Sequence, residues 1–428
     1  MAIVDRLRRS GVVRLFGAGV IVQALLSGAS FAVGLILIRR TSNLDYSYYV
    51  LAANALLLLS TIQAAFLNGY TVLGLTRRDK SDRQLLIGSL LRLWTRSVPG
   101  LCALTILGTA ALWSVHILTT SYALLIAVSA AASLASLRRD FFRMTLFGYR
   151  RPLPVLQGDF AYVILIIASA YIATLTPLPA QAAIVGMAVS ALAAGTLQRR
   201  SVRRHESWRI DPSDRILRGV IAYGGWAVVG ACIHWVLIQG YGYLTAGMLS
   251  VSEVAPIAAT RLCLMPIFLV SSGASMFLFP ITSRWVQEAG TAIAARKLTV
   301  LVAALVLAAS CYIIVMWLAR NWIFSNVLKK QFSHRDTLLL LWSAVFLITL
   351  CRDQLATLPA STERFRDLSL FTAAGAIVWL VASYEGIRRW GTPGAVAGIL
   401  AGEAINLSGI IWLILRDVRR PRSALEPG

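Results

Sequence analysis

Arg261 stands in Ala259-Thr260-Arg261-Leu262-Cys263, inside an apolar run that covers 252–283. A charge in such surroundings is costly unless it is paired or reaches water, which makes Arg261 the first candidate for chemistry. About nine residues of helix separate it from the start of the run, roughly 13 Å at 1.5 Å per residue. That depth keeps its head away from an interface. Two readings fit: it faces a wet cavity and holds an anionic headgroup, or it pairs with Glu253 or another acid and locks two helices. Arg39 and Arg40 end the first apolar run, and Asp45, Tyr46, Tyr48 and Tyr49 open the second. These arginines either line a cavity mouth, touching phosphate or sugar, or Arg40 pairs with Asp45. The tyrosines fit an interfacial aromatic belt.

Further polar groups interrupt the apolar runs. Gln23 and Asn54 are candidate cavity residues, whereas Gln63 and Asn68 do not share a clean helical face with Asn54. Hydrogen bonds between helices explain all four equally well. Asp140 and Asp159 lie near Arg138, Arg139, Arg143 and Arg150, which points to salt bridges at a membrane edge. Arg352-Asp353 calls for local pairing or snorkelling, and His234 and Glu403 are proton-relay candidates that packing would also explain. Pro256, Pro266 and Pro280 lie in or beside the run that carries Arg261, a pattern for a kinked and mobile helix. Glu253, Asp45 and Pro266 are therefore the candidate gating or coupling residues. No catalytic set, phosphate-binding loop or metal-ligand cluster emerges, so neither an enzyme nor a cofactor is expected. The five cysteines each lie in an apolar run without a Cys-x-x-Cys pair and read as free thiols.

The elements that carry these residues are twelve apolar runs: 12–38, 46–73, 85–113, 119–142, 153–175, 179–198, 216–243, 252–283, 292–319, 336–359, 367–387 and 393–415. Each is long enough to cross a hydrocarbon core of about 30 Å as a helix. Strand-like alternation is absent, and lipid tolerates no unpaired backbone. Several runs are long enough to need tilt or to project past the bilayer. Hydrophobic residues make up 57% of the chain and charged residues 14%, with mean hydropathy +0.71. Soluble domains carry about 25% charged residues, so lipid must be the solvent for most of this chain. The net charge of +22 sits in short loops between apolar runs rather than on a polar face, which excludes a nucleic-acid footprint. With the N-terminus inside, 29 basic residues fall on the cytoplasmic side and 8 on the other, placing both termini in the cytoplasm. The basic Met1–Ser10 and the long run after it read as a retained first span, not a cleaved signal.

A shift of 208 residues lays Gly11-Val12-Val13 on Gly219-Val220-Ile221, Gly17 on Gly225 and Asp45 on Glu253, and aligns the runs between them. Six spans return the chain to its starting side, so the halves are parallel repeats. The expected fold is an all-α membrane protein of about 12 transmembrane helices, two parallel six-helix repeats around a central cavity. The expected domains are an N-terminal bundle over 1–198, a basic cytoplasmic linker over 199–215, and a C-terminal bundle over 216–428 with a short basic tail. Within the central run Arg199–Arg218, Trp208 and its flanking arginines suit an anionic leaflet surface.

Ser30-Phe31-Ala32-Val33-Gly34-Leu35-Ile36-Leu37-Ile38-Arg39-Arg40, followed by Asp45-Tyr46-Ser47-Tyr48-Tyr49, resembles the opening of the polysaccharide flippases of the multidrug/oligosaccharidyl-lipid/polysaccharide exporter superfamily. Ala255-Pro256-Ile257-Ala258-Ala259-Thr260-Arg261 resembles the matching stretch of the second half. The resemblance implies translocation of an undecaprenyl-diphosphate-linked oligosaccharide across the bacterial inner membrane by alternating access. It implies a cationic cavity into which Arg39, Arg40 and Arg261 would fit. Membrane lipid, a coupling ion (proton or sodium) and a polysaccharide polymerase are the partners it suggests. A drug/cation antiporter of the same superfamily would want acids in the cavity, and span 1 has none. A membrane glycosyltransferase or polymerase would need a larger loop than any here.

Overall fold

A computed structural model describes residues 11–68, 71, 75, 79–209 and 215–419, with side chains left out at 11–20, 68, 215–219, 221–223, 226 and 276. Arg77, Arg78, Asp211, Asp214 and the tail after Arg419 lie outside the described residues, as does the side chain of Asn68. Among the described residues, 12 helices are long and apolar enough to cross a membrane. They are α1 (Gly11–Arg40), α2 (Asn43–Gln63), α3 (Lys80–Ser114), α4 (Thr120–Gly148), α5 (Pro152–Ala173) and α6 (Pro179–His205). There follow α7 (Arg215–Met248), α8 (Val254–Ala289), α9 (Thr291–Trp322), α10 (Arg335–Leu355), α11 (Phe365–Trp390) and α12 (Thr392–Arg419). The protein is an all-α, multi-pass membrane protein.

Local chemistry sets the helix ends. Ser42 caps α2: its hydroxyl accepts from the Asp45 amide at 3.0 Å and donates to the Asp45 carboxylate at 2.6 Å. Asp45 also sits in the first turn, where a negative charge meets the positive end of the helix dipole. It therefore serves α2, and among the described residues it forms no ion pair with Arg40. Proline opens α5 and α6, where its missing N–H costs nothing. Gly290 (φ 85°) and Gly391 (φ 63°) make the left-handed turns into α9 and α12.

Two compact units divide the chain, Met1–Trp235 and Val236–Gly428, with the boundary inside α7. In the first, α4 and α6 pack along each other, α5 packs on α6 and α1, and α2 and α3 pack on α4. Its core gathers Leu86, Leu90, Phe141, Phe142 and Leu146. In the second, α12 packs on α11 and α10, and α8 packs on α9 and α10. Tyr241, Ile257, Leu264, Trp342 and Trp379 form its core. Glycine lets α11 and α12 touch backbone to backbone: a Cβ on Gly394 would lie 2.0 Å from Gly386, and one on Gly398 2.1 Å from the Ser383 hydroxyl.

Helix ends keep the 208-residue offset in the first pair of each half. α1 ends at Arg40 and α7 at Met248 (248 − 40 = 208), while α2 begins at Asn43 and the 3₁₀ turn leading into α8 begins at Val251 (251 − 43 = 208).

The start of the expected linker changes. Arg199–His205 are the last turns of α6 rather than free linker, because arginine is a good helix former and positive charge suits a helix C-terminus. Beyond them the chain is strapped to the first unit: Glu206 accepts from Tyr149 at 2.5 Å and from Arg83 at 3.3 Å. Burial, with that hydrogen bond, pushes the Tyr149 phenol well above its ordinary range, so it stays a donor. Trp208 packs against the Phe142 ring, centroids 6.4 Å apart, with Arg203 over its face. Pro266 and Pro280 both lie inside α8.

Gln63 is an interhelical bond. It is buried, its amide donates to the Leu137 carbonyl at 2.9 Å, and its oxygen accepts from the Trp94 indole at 3.2 Å. Gln63→Leu strands the Trp94 N–H and is expected to cost about 1–3 kcal/mol. Thermal melting of the purified protein in detergent checks this; an unchanged midpoint would refute the bond's importance.

Candidate functional site: an arginine cradle on α7, α8 and α10

Arg261 lies about 10 Å along α8 from Val254 at 1.5 Å per residue. Its Nη1 donates to the Gln239 side-chain oxygen at 2.8 Å and to the Tyr241 hydroxyl at 3.2 Å, both on α7. The guanidinium carbon sits 5.7 Å from the Tyr241 ring centroid and 5.5 Å from that of Trp342 on α10. Those rings meet edge to face at 5.6 Å, and the Trp342 indole donates to the Ile257 carbonyl at 3.1 Å. Neutral dipoles and π faces thus hold the cation. It has no carboxylate partner among the described residues. Its Nε is buried and unbonded, and Nη2 makes no hydrogen bond with any described residue.

The expected lock with Glu253 does not form. Eight residues of helix, about 12 Å, separate the two, and Glu253 instead accepts from the Thr392 hydroxyl at 2.7 Å. Pro266 lies about one turn beyond Arg261 and has no N–H to return to the Leu262 carbonyl.

A second charge cluster shares the cavity that Arg261 lines. Arg352, 7% exposed, donates through Nη1 to both Glu403 oxygens at 2.7 and 2.5 Å and through Nη2 to Asp353 at 2.6 Å. Arg261, Arg352, Asp353 and Glu403 all border one space of about 50 Å³ in the second unit. Two cations face two acids there, so the wall is formally neutral, with Arg352 enclosed by the acids and Arg261 without an ion pair. A space of that size admits a water or a small ion, not a sugar. Glu403 was visible in the sequence as a charge in an apolar run; its partner was not, because 51 residues separate it from Arg352. Tyr241 and Trp342 carried no signal of their own, since each is also an ordinary core residue by type, whereas Gln239 was a polar residue in an apolar run and could have been found by the reasoning that found Gln63.

The other expected residues lie in the first unit. Arg39 and Arg40 are exposed at the end of α1, with the Arg40 guanidinium 4.6 Å from the Tyr171 ring centroid. Gln23 is 16 residues before Arg39 on the same helix, about 24 Å away, so the two are not brought together. Its side chain is exposed and, among the described residues, hydrogen-bonds Ser27 alone, at 3.4 Å. Asn54 is half-buried; its main-chain carbonyl accepts from the Trp235 indole at 3.1 Å, and its side-chain Nδ2 is buried without a partner among the described residues. Asp159 is fully buried and accepts from Arg139 at 2.6 Å, Arg143 at 2.9 Å and Gln198 at 3.3 Å. Its role is structural. No group of three or more His, Cys, Asp or Glu among the described residues is placed to hold a metal ion.

Solved structures share this fold. An inward-facing multidrug resistance MATE transporter of the MOP superfamily matches with TM-score 0.76 at 13% identity, over 92% of this chain and 94% of that one. The lipid II flippase MurJ, in an inward closed conformation, matches with TM-score 0.72 at 9% identity, over 95% of this chain and 89% of that one. A MOP-superfamily transporter from Pyrococcus furiosus, described as having a binding pocket of reverse polarity, matches with TM-score 0.64 at 13% identity over 96% of both chains. At such identities the likeness is one of fold: this chain has the architecture of MOP-superfamily transporters and flippases. No family model matches the sequence, and no curated protein does.

Proposed function

We propose that the protein is a flippase that moves an undecaprenyl-diphosphate-linked oligosaccharide across the bacterial inner membrane by alternating access, for surface or exopolysaccharide biosynthesis. Both termini lie in the cytoplasm. The observation that carries this reading is Arg261: a guanidinium inside a membrane-embedded bundle, held by neutral groups and with part of its donor fork unspent. A diphosphate suits those donors, because guanidinium and phosphate oxygens match in a charge-assisted fork. Arg39 and Arg40 supply further cations, and Asn54 brings a buried Nδ2 donor without a partner among the described residues. The likeness to a lipid II flippase agrees with a lipid-linked substrate. A coupling ion, proton or sodium, and a polysaccharide polymerase complete the expected partners.

A drug/cation antiporter is the second reading. Asp353 and Glu403 on the same cavity wall, and the likeness to multidrug MATE transporters, favour it. Deletion of the gene followed by lipid analysis separates the two. The flippase reading expects lipid-linked oligosaccharide to accumulate and surface polysaccharide to fall. An unchanged lipid pool with increased sensitivity to cationic drugs would replace it with the antiporter.

A further inference from the structure

Arg138 on α4 and Arg199 on α6 face one cavity of about 350 Å³ in the first unit, a size within the range of small-molecule sites, about 300–1,000 Å³. The two side chains thus bring like charge to the wall of one cavity. Neither forms an ion pair or a hydrogen bond with a described residue, and no acid lines the cavity among the described residues. Their neighbours behave otherwise. Arg139 and Arg143 are spent on Asp159, which leaves Arg138 as the cation of that turn without a counter-charge. Apart from Thr95 the rest of the wall is apolar, with Leu91, Trp94, Leu134 and Leu192 prominent.

Two like charges held together beside an apolar slot, within helices that cross a bilayer, ask for a ligand that is anionic at one end and hydrocarbon at the other. From this juxtaposition we infer that the Arg138–Arg199 cavity is a binding site for an anionic glycerophospholipid of the surrounding membrane. Its phosphate bridges the two guanidinium groups, and an acyl chain lies along Leu91, Leu134 and Leu192. A free inorganic anion would satisfy the charges and leave the apolar walls uncovered. A zwitterionic lipid would bring its own cation to a doubly cationic site. Basic pockets between transmembrane helices are a known form of headgroup site. Arg138 and Arg199 are not among the residues assigned to the transported substrate, so the site is independent of that assignment.

Delipidated full-length protein in detergent is titrated with phosphatidylglycerol, phosphatidylcholine or inorganic phosphate, and followed by native mass spectrometry and by thermal melting. Phosphatidylglycerol is expected to stay bound and to raise the melting midpoint, and the other two to do neither. R138Q/R199Q is expected to weaken phosphatidylglycerol retention about 30-fold, while R138K/R199K, which keeps both charges, stays within a few-fold of the parent. Equal retention of phosphatidylglycerol and phosphatidylcholine by the parent would overturn the inference, as would a folded R138Q/R199Q that holds phosphatidylglycerol as well as the parent. Protection by inorganic phosphate equal to that by phosphatidylglycerol would overturn the lipid assignment. If R138Q/R199Q does not fold, the parent's lipid preference and R138K/R199K still decide the question.

Discussion

Asp159→Leu is expected to destabilise the first unit by about 3–5 kcal/mol, the cost of leaving a buried ion without its partner. Asp159 is fully buried, and Arg139, 6% exposed, donates to it at 2.6 Å. Removing the carboxylate strands that guanidinium, with Asp140 at 3.9 Å as its remaining acid. Arg143 and Gln198 lose an acceptor too, so α4, α5 and α6 come untied at one point. The double variant Arg139→Met/Asp159→Leu should recover much of the loss, since apolar groups of similar volume often replace a buried pair without penalty. Detergent melting of the three proteins is the measurement. If the single variant melts like the parent, or the double variant is no better than the single, the pair does not hold the helices as described.

Arg261→Ala should act the other way: a large loss of transport with a small loss of stability. No carboxylate is stranded when Arg261 goes, because Gln239 and Tyr241 are neutral and each loses one hydrogen bond. If Arg261 contacts the diphosphate, its removal forfeits a charge-assisted bond of about 1.5–3 kcal/mol, or roughly 10–150-fold in flipping rate. Arg261→Lys is expected to restore little, since one ammonium lacks the fork that holds Gln239 and a ligand at once. Flipping of lipid-diphosphate oligosaccharide in proteoliposomes, with melting in parallel, checks both halves of the statement. Parent-like flipping by a folded Arg261→Ala protein would remove Arg261 from the substrate's path.

The twelve spans were legible because lipid forces long apolar helices, and that constraint is written directly in composition. Arg261 was legible for the same reason, as a charge where charge is costly. Its surroundings were not. Tyr241 and Trp342 are apolar by type, and their role as walls for a cation follows only from the way α7 and α10 pack on α8. Glu403 and Arg352 were each visible, but pairing across 51 residues is a matter of tertiary contact. The strap at Glu206 was hidden because a polar run reads as solvated until Tyr149 and Arg83 are seen to close on it. Asp45 is ambiguous for a local reason: a carboxylate opening a helix suits capping as well as a cavity, and Ser42 three residues earlier engages it in the cap.

The glycine seam between α11 and α12 has a consequence for how this protein tolerates change. Gly375, Gly386, Gly394 and Gly402 each meet opposing backbone where a methyl group would have to go, and Gly398 meets Ser383 in the same way. Selection acting on folding alone would keep these positions small. A map of tolerated substitutions would therefore trace a narrow intolerant line down α11 and α12, drawn by backbone contact alone, and a search for the transport path by intolerance alone would be drawn to it first.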